Sequence, residues 1–171
     1  YETSEQKTME LLKQENVVIF EAAIRYNNLF IRIDVLEKIG NTLNLIEVKS
    51  KSADPDTFED ELWNSREQKR GIHALKATWK PYLYDVAFQS FVLQGAFPEH
   101  KINNFLMCAD KSVKATVDNL NQKFILVEKN GRTSAEIHGD VSLEALGQQV
   151  LCKLDVDEVV ELIHNDEEMS E

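Results

Sequence analysis

Three charged side chains stand where the surrounding residues are apolar: Asp34 in LFIRIDVLEKIG, and Glu47 and Lys49 in LNLIEVKSKS. Side chains alternate along a strand, so Glu47 and Lys49 share one face while Ile46 and Val48 take the other. If the strand bearing Asp34 pairs with the strand bearing Glu47, the two carboxylates converge at one end of a sheet. Such a buried pair repels itself unless a cation sits between its members, so the pattern predicts a metal. Ligation by oxygen alone suits Mg²⁺ or Mn²⁺ and fits neither Zn²⁺ nor copper. An ion of this kind polarises a phosphodiester and lowers the pKa of water bound to it. Lys49 would then orient the attacking water and offset developing negative charge. An Asp followed by Glu-x-Lys also recurs by chance in charged chains, as an edge strand with solvated alternating charges. The apolar flanks of each named residue argue against that.

The elements that must carry these residues are readable from pattern. Glu5 to Gln14 has Met9, Leu11 and Leu12 in a charged frame and predicts a short amphipathic helix. Val17–Tyr26 and Leu29–Glu37 are β-branched and aromatic, and Asn27-Asn28 joins them as a hairpin; Leu43–Ser50 follows the turn Gly40-Asn41. Ser52 to Glu61 is acidic, contains Pro55 and reads as a surface loop. Leu62–Ala77 is expected to be helical, Trp79-Lys80-Pro81 to break it, and Tyr82–Gln94 to form an amphipathic helix ending at Gly95. Asp85 and Gln89, four apart, would face the same side of that helix. A strand over Ile102–Ala109, a second hairpin of Phe124–Lys129 and Thr133–Ile137 across Asn130-Gly131, and two closing helices over Val141–Leu154 and Asp157–His164 complete the expectation. Asp155 or Asp157 would cap the last.

Composition limits the function classes. The 171 residues, 43% hydrophobic, suffice for one ordinary core. The domain is expected to span residues 1–140, with an acidic helical extension of the same domain over 141–171. No apolar run is long enough for a membrane helix and no basic-then-apolar leader opens the chain, which predicts a soluble cytoplasmic protein without membrane partners. The chain opens on Tyr1, so further domains of a longer protein are expected. Cys108 and Cys152 are far apart in sequence and read as buried small hydrophobes; the four histidines show no metal-ligand pairing, and no P-loop, dinucleotide fingerprint or nucleophile elbow occurs. Trp63, Trp79, Tyr82 and Tyr84 are expected to pack rather than stack on bases. The net charge of −11 opposes nucleic-acid binding, yet it is unevenly spread. From Val141 to Glu171 nine acids face Lys153 alone, leaving only −3 on residues 1–140. Leu62 to Lys80 carries Arg66, Lys69, Arg70, Lys76 and Lys80 against Glu67, a basic surface that either tracks phosphates or is simply a solvated helix face.

The stretch RIDVLEKIGNTLNLIEVKSKS followed by YLYDVAFQSFVLQ resembles the PD-(D/E)XK nuclease superfamily, its RecB-type branch and a bacterial family of nuclease-like proteins in particular. The resemblance covers roughly Val17 to Ala109. It implies an α/β (α+β) fold with a restriction-endonuclease-like core, a mixed central sheet flanked by helices. It also implies that Asp34, Glu47, Lys49 and Gln89 are catalytic and that the activity is Mg²⁺- or Mn²⁺-dependent hydrolysis of DNA. Glu21 on the first strand matches an extra acid that related nucleases carry and would join Asp34 and Glu47 as a metal ligand. The chain departs from the branch in having Leu93 rather than Tyr four residues after Gln89, and no His before Asp34. The alternative is a silent nuclease fold that binds nucleic acid or protein.

Overall fold

The computed structural model describes residues 3–65, 74–129 and 131–165 of the chain. Helix α1 (Ser4–Leu11) opens on a capping box, in which the Thr3 hydroxyl accepts from the Gln6 amide and the Gln6 side chain accepts in return from Thr3. Strands β1 (Asn16–Tyr26), β2 (Leu29–Ile39) and β3 (Thr42–Ala53) then form an antiparallel meander. Its turns use Asn27 at φ 52° and Gly40 at φ 56°, both residue types that tolerate the left-handed region. A short α2 (Phe58–Leu62) and the long α3 (Lys80–Ala96) lead to β4 (Lys101–Asp110), which lies parallel to β3. A β5–β6 hairpin (Phe124–Lys129, Arg132–Ile137), a single-turn α4 (Leu143–Leu146), strand β7 (Leu151–Asp155) and helix α5 (Asp157–His164) follow.

The five-stranded mixed sheet runs in the order β1-β2-β3-β4-β7, and helices flank it. This is the α+β class, with a mixed central sheet flanked by helices, that the resemblance implies. No helix among the described residues is long and apolar enough to cross a membrane. The free edge of β1 is covered by α1, whose Thr8 hydroxyl accepts the Ala23 amide at 3.1 Å. Helix α3 lies on one face of the sheet and buries Leu83, Val86, Ala87, Gln89, Ser90, Val92 and Leu93. Next to it sits α5, which buries Val159, Val160 and Ile163.

Four expectations need correction. The sequence Val141–Leu154 is not a helix: α4 stops at Gly147, whose φ of 70° suits glycine, and β7 pairs antiparallel with β4. Cys152 and Leu154 are buried while Leu151, Lys153 and Asp155 are exposed, a period of two that marks a half-buried strand. The acidic extension is therefore only partly helical, and its strand completes the central sheet. Second, the Ser52–Glu61 stretch is only partly loop, since β3 runs on to Ala53 and α2 begins at Phe58, whose ring packs edge-on against Trp79. Third, Leu62 closes α2 and Trp63 pairs with Leu75 in an antiparallel bridge, so the expected Leu62–Ala77 helix is interrupted near each end, and a helix begins only at Ser65. Its centre lies outside the described residues. Fourth, the break falls before Lys80, so α3 starts two residues earlier than expected with Lys80 and Pro81 inside it, because proline in a first helical turn lacks only an amide that would have no intrahelical partner. The helix also passes Gly95. A Cβ there would lie 2.4 Å from the Tyr26 ring, so the glycine lets β1 and α3 close together.

Candidate active site

The site forms where β2 leaves β3. Their ladder runs from Ile39↔Thr42 to Val35↔Ile46, and the next step along it would set Asp34 against Glu47. No ladder pair forms there. Instead the Asp34 carboxylate enters the gap, and its Oδ2 accepts the Val48 amide at 2.8 Å. The same point interrupts the side-chain alternation of two strands. In β2, Ile31 and Ile33 are buried and then Leu36; in β1, Ile24 and Ala22 are buried and then Ile19. Glu21, opposite Asp34, takes φ 55°, a strained conformation for a non-glycine residue. Beyond this point β2 pairs only with β1, while β3 continues beside β4.

On β3, Leu43, Leu45, Glu47 and Lys49 share the face covered by α3. Glu47 is 7% exposed and both its oxygens are engaged. Its Oε1 lies 2.6 Å from the Lys49 ammonium and its Oε2 accepts Gln89 Nε2 at 2.9 Å. Lys49 Nζ also donates to Asp85 Oδ2 at 2.7 Å, and Gln89 Nε2 reaches Asp85 Oδ1 at 3.2 Å. The four side chains form a closed ring spanning β3 and α3. Two carboxylates fix the Gln89 amide with its nitrogen toward them, which leaves Gln89 Oε1 buried with no partner. Tyr82 places its ring 5.6 Å from Lys49 Nζ. Lys51, one step further along the same face, lies over Trp79 at 4.2 Å and donates to the Thr78 carbonyl. As expected, Trp79 is a packing residue; it is 3% exposed.

Charge is distributed unequally within the ring. Burial pushes the Glu47 carboxyl up, and the Asp34 charge adds to this against the hydrogen bonds from Lys49 and Gln89. Burial would pull Lys49 down, but the hydrogen bonds to Asp85 and Glu47 and their charges outweigh it and hold the ammonium above its usual range. For Asp85 burial is again the largest influence and would raise it, yet Lys49 and Gln89 together hold it below the usual carboxylate range. Two carboxylates share one lysine and respond in opposite directions. Asp85 is the firmly ionised partner, being the less buried of the two.

The structure thus joins Lys49 and Gln89 to Glu47 and puts Asp34 at the adjoining strand gap. Glu21 is also beside Asp34, but its carboxylate is exposed and faces Arg32 Nη1 at 3.5 Å. Asp85 joins the ring although the sequence reading gave it no chemical part; its spacing from Gln89 was the available signal. Among the described residues, no three His, Cys, Asp or Glu side chains are grouped to hold a metal ion. A pair of carboxylates with water still fits Mg²⁺ or Mn²⁺, which commonly keep several waters. The raised Glu47 and the unpartnered Gln89 oxygen are consistent with that donor set.

Other expected features fall elsewhere. Cys108 and Cys152, remote in sequence, are cross-strand neighbours in β4 and β7; both are buried free thiols whose pKa burial raises. His164 bonds the Ala87 carbonyl through Nε2 at 2.8 Å, tying α5 to α3. Of the basic stretch, Arg66, Lys69 and Arg70 lie outside the described residues. Lys80 begins α3 and lies 5.1 Å from the Tyr84 ring. Compared with protein-family models, curated proteins and solved structures, the chain matches none.

Proposed function

We propose that this domain is a metal-dependent nuclease of the PD-(D/E)XK type that hydrolyses phosphodiester bonds of DNA in the cytoplasm. The observation that carries the reading is the insertion of the Asp34 carboxylate between β2 and β3, beside the Glu47–Lys49–Gln89 contacts. Asp34 and Glu47 would hold Mg²⁺ or Mn²⁺ as a pair, completed by water, while Glu21, exposed on β1 and facing Arg32, stands outside that pair. When bound, the ion supplies Lewis acidity to the phosphate and acidity to its waters. Lys49 places a positive charge beside Glu47, where it would neutralise charge developing on the phosphate. Gln89 orients Glu47 and offers its free Oε1 to a water proton. Lys51 and Lys80 extend positive charge from the ring toward the start of α3, a path suited to the DNA backbone.

The test compares the wild-type chain with Asp34→Asn and Lys49→Ala on single- and double-stranded DNA with Mg²⁺, Mn²⁺ and chelator. Asp34→Asn should weaken metal binding. Lys49→Ala should keep the ion but slow cleavage on the order of 100-fold or more. Cleavage that persists in both variants, or a wild-type chain that binds no metal, defeats the reading. A silent binding domain is the second reading, favoured by the engagement of both Glu47 oxygens within the protein. Metal binding without cleavage would select it.

A further inference from the structure

Lys49 is held by two carboxylates, and only one of them belongs to the metal pair of the proposed function, on which the present step rests. The lysine side chain is 17% exposed, Glu47 9% and Asp85 42%. An ammonium this enclosed is costly to leave without a counter-charge. A divalent cation arriving at Glu47 competes with Lys49 for Oε1, where the lysine now sits at 2.6 Å. Asp85 Oδ2 stands at nearly the same distance, 2.7 Å, on the opposite element. Gln89 holds the second oxygen of each carboxylate from one nitrogen, so Asp85 stays in place when Glu47 turns.

We infer that Asp85 is the positioning residue that takes Lys49 over when Glu47 engages a divalent cation, which lets the ion bind without stranding a buried ammonium. Asp85 acts on the ion through the lysine. Its loss leaves Glu47 as the lysine's only carboxylate among the described residues and sets Lys49 and the cation in direct competition.

A double-mutant cycle read by Mn²⁺ titration calorimetry separates this role from a general charge effect. The 171-residue chain is compared with Asp85→Asn, Lys49→Met and the double variant, with folding checked by circular dichroism. Asp85→Asn should weaken Mn²⁺ binding about 10-fold, the scale of losing one charge-assisted hydrogen bond. With Lys49→Met already present, the same change should cost less than about 3-fold. Asp85→Ser carries the same expectations and replaces Asp85→Asn should that variant not fold. An equal loss in both backgrounds overturns the inference, since Asp85 would then act on the ion directly. No loss in either background overturns it too. A wild-type chain that binds no Mn²⁺ removes the proposed function first and this inference with it, an outcome distinct from the other two.

Discussion

Asp34 has two duties, which a conservative change can separate. Its Oδ2 accepts the Val48 amide, and its charge raises Glu47. Asn keeps an acceptor oxygen and loses the charge, so Asp34→Asn should fold normally without metal and be slightly more stable. A repulsion of about 0.5–1 kcal/mol between partly screened charges corresponds to a melting temperature higher by roughly 1–3 °C. The sign with pH follows from linkage. Because Glu47 is raised in the folded state, folding is favoured when it is protonated and disfavoured as it ionises. The gain should therefore be present near neutral pH and fade as the pH falls through the range, above the ordinary 4.5, where Glu47 takes up its proton. Thermal melts of both proteins across pH check this, and a variant less stable than wild type at neutral pH would mean that the hydrogen bond outweighs the repulsion. Glu47 and Lys49 were legible in the sequence because apolar neighbours and a period of two fix their face. Asp85 was only half legible: helical spacing paired it with Gln89, but its meeting with Lys49 depends on where α3 crosses β3.

Among the elements, the meander, β4 and α3 were legible because each carries a sustained apolar period bounded by a turn or a proline. The sheet's last strand was not. Residues Leu151–Asp155 are too short for their alternation to stand out, and the leucines at 143, 146 and 154 mimic a helical stripe. The interruption of alternation at Glu21 and Asp34 was equally hidden, since it turns on a left-handed glutamate that no propensity favours. Gly95 offers an element-scale test. Its substitution by Ala would force the Tyr26 ring away from α3, an overpacking cost of about 1–3 kcal/mol. The melting temperature should fall by about 2–10 °C, while a Gly131→Ala change, where nothing lies within 4 Å, should show only the strain of a positive φ. A loss at Gly95 no larger than at Gly131 would mean that the Tyr26 ring gives way at little cost and does not set the need for Gly95.

For the whole molecule, β7 changes how the charge asymmetry can be tested. Removing residues from Val141 onward would strip β4 of its β7 partner and take Leu154, Val156, Val159, Val160 and Ile163 from the core. The acids have to be neutralised in place. Glu158 and Glu161 lie on the exposed side of α5, so Glu158→Gln with Glu161→Gln should leave the melting temperature within about 2 °C. DNA affinity at low salt should stay equal or rise by a few fold, as repulsion of phosphates is reduced. Fluorescence anisotropy with labelled DNA reads it, and a clear drop in affinity would show that this face makes contacts favourable to the nucleic acid.

The place where β2 parts from β3 also bears on which length changes the chain can survive. Thr42 to Ile46 are the only β3 residues paired with β2, and Glu47 is the next residue along. One extra residue inserted in that short span and not taken up by a bulge would carry Glu47 and Lys49 to the opposite side of the sheet, away from Asp85 and Gln89, and move the Val48 amide out of reach of Asp34. Among descendants of this chain, insertions and deletions between Gly40 and Lys49 should therefore be purged by loss of chemistry before loss of folding. The hairpin tip at Gly131 carries no such constraint and can vary in length.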